Sequence, residues 1–211
     1  MIQAALFDLD GVVLDTERQY NKIWGRIGRT FHPDADDFCM RIKGMTLNKI
    51  FDEWFAGDAV LQRQVCQLLD DFEAKEMRYD FCPGVENFIS SLTSNGIKTA
   101  LVTSSNSKKM SSVRRVHCNF DSMFDCIVTA DMVSCSKPDP ECFLLGAKML
   151  KVPVENCVVF EDSLNGLAAG RAAGMFVVGV AGTYPHSQLV PLAHTVIDSF
   201  VNLTPKSILY C

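Results

Sequence analysis

Phe7-Asp8-Leu9-Asp10-Gly11-Val12-Val13-Leu14-Asp15-Thr16 are the most informative letters in this chain. The apolar run 2–7 that leads into them reads as a buried strand. That strand ends abruptly in two carboxylates, Asp8 and Asp10, and a glycine. Open α/β sheets place their ligand crevice at the carboxyl ends of parallel strands, which is where these two groups would stand. Residues two apart on a strand share a face, and a turn beginning at Gly11 lets both carboxylates converge on one point. Carboxylates that close repel each other unless a cation or a bound phosphate reorganises the charge. Taken alone, the same letters also spell a strand followed by an Asp-Gly turn.

Outward from this stretch the character changes at once. Between 17 and 80 the β-branched runs vanish and helical spacing takes over. Ile23, Trp24 and Ile27 share one helix face, and 34–42 reads as a short helix. Leu47, Ile50, Phe51 and Trp54 line a helix capped by Thr46, and 58–77 gives a longer one. Phe81-Cys82-Pro83-Gly84 breaks the pattern. From there helices at 85–94, 107–116, 140–150 and 164–173 alternate with strands at 98–103, 126–129, 156–160 and 175–180, with a last short strand at 195–197. Such alternation predicts right-handed βαβ units and a parallel sheet covered on both faces. The expected fold class is α/β, a doubly wound parallel sheet built from residues 1–16 and 81–211, with an inserted α-helical cap domain at 17–80. The two crossings, near 14–16 and 80–83, would act as a hinge. The insert would then sit above Asp8 and Asp10 as a lid that expels water.

Composition narrows the function classes. Hydrophobic residues make up 48% of the 211, enough for a real core. With 20 basic against 25 acidic residues and no dense basic run, no nucleic-acid or membrane-surface partner is expected. No apolar stretch is long enough to span a bilayer, and no signal peptide precedes the first strand. Nine cysteines at irregular spacing, without a Cys-x-x-Cys pair, fit a reducing cytoplasm better than a disulfide framework. His32, His117, His186 and His194 show no ligand spacing for zinc.

The later strands also end in polar residues. Thr103-Ser104-Ser105-Asn106 offers hydroxyls and N–H groups at a helix start, either an anion cradle or an N-cap. Lys137 stands between Ser136 and the Pro138-Asp139-Pro140 turn, either neutralising a phosphoryl oxygen or lying on a loop surface. Glu161-Asp162-Ser163 closes an apolar strand. Two adjacent carboxylates there are costly unless a hard cation offsets them, and Mg²⁺ with a substrate phosphate does so. Asp162 could also cap the next helix.

Together the four groups resemble the haloacid dehalogenase superfamily of aspartate-nucleophile phosphohydrolases. The motifs stand here as Asp8-Leu-Asp10-Gly11, Val102-Thr103-Ser104-Ser105, Lys137-Pro138 and Glu161-Asp162-Ser163-x-x-Gly166. The helical insert, Ile42-Lys43-Gly44-Met45-Thr46 and the run from Phe160 to Met175 look most like β-phosphoglucomutase and its phosphatase relatives. The resemblance implies that Asp8 attacks phosphorus to form an aspartyl-phosphate and that Asp10 serves as general acid and base. It implies that Thr103 and Lys137 hold the phosphoryl oxygens. It further implies that Mg²⁺ is held by Asp8, Asp10 through its carbonyl, and Asp162, with Glu161 in or next to that shell. Thr16, Lys43, Gly44, Ser104, Ser105 and Asn106 would line the substrate site. A small phosphorylated substrate, a sugar phosphate foremost, and a monomeric protein follow from the same resemblance.

Two departures weigh on the choice of reaction. The mutase carries a histidine where Tyr20 stands and a phosphate-gripping arginine where Leu47 stands. A mutase must hold a second, distal phosphate, and leucine cannot replace a bidentate guanidinium. Arg18, Arg26 and Arg41 are the available substitutes from elsewhere in the insert. Phosphatase is therefore favoured over β-phosphoglucomutase. A carbon–halogen dehalogenase would need neither Asp10 as acid nor the metal pair. A non-catalytic binding protein would be expected to have lost one of the charged groups, and all are present.

Overall fold

The computed structural model describes residues 1–207. Residues 208–211, the end of the expected core segment, lie outside the described residues. Six strands form: β1 (Ala4–Phe7), β2 (Lys98–Val102), β3 (Cys126–Val128), β4 (Cys157–Glu161), β5 (Phe176–Val180) and β6 (Thr195–Ile197). All pair in parallel, in the order β3-β2-β1-β4-β5-β6. The fold is the expected α/β doubly wound sheet. Its chain order reverses between β1 and β4, which makes their carboxyl ends the switch point where such sheets bind ligands.

Both faces of the sheet are covered, so β1 and β4 are buried along their whole length and read as unbroken apolar runs. Ala4 and Leu6 face one layer, with Phe143 of α7 (Glu141–Leu150) and Leu167 of α8 (Leu164–Ala172). Ala5 and Phe7 face the other, with Phe88 of α5 (Val85–Ser94) and Val113 of α6 (Ser107–Val116). In the strand register Phe7 lies opposite Phe160, and their rings stack at 4.8 Å. That register aligns the exit of β1 with the exit of β4. The Asp8 N–H extends the ladder, donating to the Phe160 carbonyl at 3.0 Å.

Between β1 and α5 the chain forms α1 (Glu17–Phe31), α2 (Phe38–Arg41), α3 (Leu47–Trp54) and α4 (Ala59–Lys75). The outgoing and returning strands run side by side. Asp15 N donates to Asp80 O and Cys82 N to Val13 O, each at 2.9 Å. The helices pack around an aromatic cluster in which Phe38 meets Trp54 edge-on at 4.9 Å. The helix expected over 34–42 is only Phe38–Arg41, because Pro33 and the acidic run 34–37 form turns and no residue of that stretch before Phe38 is buried. The helix expected over 58–77 stops at Lys75. Glu161, expected beyond its strand, is the last residue of β4 and pairs with Gly179. Among the described residues no helix is long and apolar enough to cross a membrane, and the eight described cysteines are free.

Candidate active site

Asp8 leaves β1 at the switch point and is buried. Lys137, on the loop after β3, is buried beneath it. Its ammonium donates to Asp8 Oδ1 and to Glu161 Oε1, both at 2.6 Å, and lies 3.3 Å from the Val102 carbonyl. A buried ammonium with a carboxylate on either side is paired as the interior requires. The two carboxylates hold Lys137 well above its ordinary range even though burial pulls the other way. Burial pushes Asp8 up to about 7, with Lys137 opposing and Glu161 and Asp10 reinforcing. Asp162 is raised well above the carboxylate range by burial, with Glu17, Glu161 and Asp8 adding repulsion.

The loop after β1 bends tightly at Gly11, whose φ is +79°. A Cβ there would meet Asp162 Oδ2 at 2.0 Å, so glycine lets the β1 loop lie against the β4 loop. The bend turns Asp10 into the cleft. Asp10 Oδ1 accepts from Thr16 Oγ1 and from Lys109 Nζ, and Oδ2 accepts from Ser105 Oγ at 3.0 Å. Asp162 Oδ2 accepts from Thr183 Oγ1.

Glu161 and Asp162 were expected to serve one metal together, and the backbone separates them. Consecutive residues on an extended chain face opposite ways. Asp162 lines the cleft. Glu161 is turned toward Lys137 and the start of α8, where Ser163 N and Oγ donate to its Oε2 at 2.9 and 3.0 Å. Gly166 closes over it, since a Cβ there would overlap the Glu161 carboxylate at 1.9 Å. Glu161 therefore contributes by holding Lys137 and does not line the cleft.

Thr103 is also buried off the cleft wall, its Oγ1 accepting from Ser105 N at 3.0 Å. Ser104, Ser105 and Asn106 do line the cleft. Asn106 caps α6 by accepting from Lys109 N, and Ser104 Oγ donates to the Gly44 carbonyl at 3.0 Å. Lys43 is buried and pairs with Glu17. The segment 40–46 is tied to three loops of the sheet side and to the first turn of α8. Its contacts are Ser104 with Gly44, Asn165 Nδ2 to Lys43 O at 2.7 Å, Thr46 N to Ser136 Oγ at 2.8 Å, and Tyr184 OH to Met40 O at 3.0 Å.

These walls enclose a cleft of about 1170 Å³. Asp8, Asp10 and Asp162 lie on the sheet side, and Tyr20, Trp24 and Leu47 on the helical side. Arg18, Arg26 and Arg41 do not line it; Arg41 instead stacks over Trp54, 4.7 Å from its centroid. The sequence reading missed Glu17, Thr183, Lys109 and the pair formed by Tyr20 OH and Glu73 at 2.7 Å. Lys108 and Lys109 are adjacent in α6, and only the fold shows that Lys108 turns to Asp70 at the surface while Lys109 turns inward to Asp10.

The donor set suits a hard cation: Asp8 and Asp162 are buried carboxylates that both line the cleft. Asp8 Oδ1 is held by Lys137, and its Oδ2 accepts from the Asp10 N–H at 3.0 Å.

The family model of haloacid dehalogenase-like hydrolases matches residues 2–174. A phosphorylated carbohydrates phosphatase of Thermotoga maritima is 32% identical over 82% of each chain. The β-phosphoglucomutase of Bacillus subtilis is 32% identical over 87% of this chain and 85% of its own. The crystal structure of β-phosphoglucomutase from Clostridium difficile superimposes with a TM-score of 0.81 at 27% identity, covering 100% of this chain and 96% of that one.

Proposed function

The chain belongs to the haloacid dehalogenase-like hydrolases and is an enzyme of that family, and from that premise we propose that it hydrolyses the phosphate monoester of a small metabolite, a sugar phosphate foremost, with Asp8 as nucleophile, Mg²⁺ as metal and residues 17–80 as a cap. The observation that carries this reading is the pairing of Asp8 with Lys137 on one side and its approach to Asp10 on the other. Asp8 attacks phosphorus as the bond to the leaving alcohol breaks, and Asp10 gives that oxygen its proton. Asp10 then takes a proton from water. The water oxygen bonds to phosphorus as the Asp8–phosphorus bond breaks, which releases phosphate and restores both carboxyl groups. Lys137 stays charged throughout and draws negative charge off the Asp8 side. Asp8, the Asp10 carbonyl and Asp162 would hold Mg²⁺, with Glu161 behind them as the anchor of Lys137. When bound, the metal neutralises charge on the transferring phosphoryl group.

The mutase reading needs a grip on a second phosphate. Leu47 and Tyr20 line the cleft, and no arginine is among its described lining residues. Water is the acceptor this wall favours. The test incubates the protein with Mg²⁺ and β-glucose 1-phosphate, with and without glucose 1,6-bisphosphate, and then with a panel of sugar phosphates. Phosphate release that is lost more than about 10⁴-fold in Asp8→Asn is expected. Glucose 6-phosphate formation that depends on the bisphosphate would establish the mutase instead.

A further inference from the structure

Lys109 is a buried ammonium that neither the nucleophile nor the proposed metal uses. It is only 4% exposed, and its Nζ donates to Asp10 Oδ1. On its other side lies the ring of Tyr20, with the ammonium 4.2 Å from the centroid. A cation over a desolvated aromatic face is held there by the ring quadrupole. The ring is fixed in turn, because Tyr20 OH donates to Glu73 of α4 at 2.7 Å. One chain of contacts thus runs from Asp10 on the sheet side, through Lys109 of α6, to α1 and α4 of the helical insert.

We propose that Lys109 is a positioning residue that holds the Asp10 carboxyl in the orientation for proton transfer, and that the Tyr20 ring holds Lys109 in place. The insert thereby orients the general acid as well as roofing the cleft. The proposal rests on the phosphatase reading. Thr16 and Ser105 also bond Asp10, one on each oxygen. Both are neutral hydroxyl donors. Lys109 is the only charged donor on the carboxylate among the described residues, so its removal takes away the charge-assisted hold and leaves two neutral ones.

Leaving-group dependence separates this role from a structural one. A sugar alkoxide needs the Asp10 proton to depart, whereas p-nitrophenolate leaves without it. The measurement is kcat/KM, which reports the steps through departure of the alcohol, on the best hexose 6-phosphate and on p-nitrophenyl phosphate. Lys109→Met is expected to lose about 100-fold on the sugar phosphate, and at least tenfold less on the aryl ester, as for a displaced general acid. Lys109→Arg should restore most of the sugar-phosphate activity. Tyr20→Leu should show the same selective loss in milder form, and it carries the comparison if Lys109→Met does not fold by circular dichroism. Equal losses on both substrates, or none on either, would overturn the proposal. Asp10→Asn is the reference. Its failure to discriminate between the two esters, or a wild type that hydrolyses neither, would refute the phosphatase reading itself and take this proposal with it.

Discussion

The exit of β1 and the helical insert face each other across one cleft, and they hold their polar groups in opposite ways. On the sheet side the groups are charged, buried and cross-paired: Lys137 stands between Asp8 and Glu161, each at 2.6 Å. On the helical side the segment 40–46 meets the sheet-side loops chiefly through main-chain atoms, as at Met40, Lys43, Gly44 and Thr46. The cleft-lining residues of the helical side mix the uncharged Trp24 and Leu47 with Lys49, Asp52 and Glu53, and its buried ion pair, Lys43 with Glu17, has a partner that keeps 18% exposure. The difference teaches which side is free to vary. A buried charge cluster fails as a unit when one member is removed, whereas a wall anchored through its backbone accepts new side chains.

The largest expected effect tests that asymmetry on two lysines. Lys137→Met strands two carboxylates in the interior and should cost about 3–5 kcal/mol in urea unfolding. Lys43→Met strands only Glu17, which keeps 18% exposure and lies on the cleft wall, so a clearly smaller loss is expected. Equal losses would break the contrast between the two sides.

A smaller effect reads the charge on the sheet side through pH. Asp8 rises on folding from 3.8 to about 7. A carboxyl raised on folding favours the native state below its unfolded value, and that contribution is lost as pH climbs through the folded one. Stability of the metal-free protein should therefore fall between pH 4 and 7 on account of this group. A cation bound to the ionised form reverses the loss, so Mg²⁺ should raise Tm more at pH 8 than at pH 5. A Tm shift independent of pH would count against Asp8 as ligand.

The smallest effect on stability belongs to the helical wall. Leu47→Arg should stay within about 0.5–1 kcal/mol of the parent, since Leu47 is only half-buried. The same change should tighten inhibition by a hexose bisphosphate about tenfold, the worth of one charge-assisted contact. A variant that unfolds would show the insert to be as intolerant as the strand ends.

Much of this protein was legible from local pattern. Strands buried on both faces write continuous apolar runs, and every expected strand appears within two residues of its place. The carboxylates at their ends, Asp8, Asp10 and Asp162, were legible for the same reason, since charge following such a run must be paired or used; Lys137, on a loop well past β3, stood out only in combination with them. The helical face of 34–42 was less legible, because short amphipathic spacing does not reveal that Pro33 and the acidic run prefer turns.

Direction and partnership were fixed only in three dimensions. By itself the sequence determined the order of elements, the class of sheet and the residue types at each strand end, since these follow from periodicity and from the cost of burying charge. The tertiary structure alone decided that Glu161 turns to Lys137 while Asp162 turns to the cleft. It alone also brought Lys109 to Asp10 across 99 residues, and Thr183 to Asp162 across 21. Such pairs are set by strand order and helix rotation, which join segments whose separate patterns carry no record of each other.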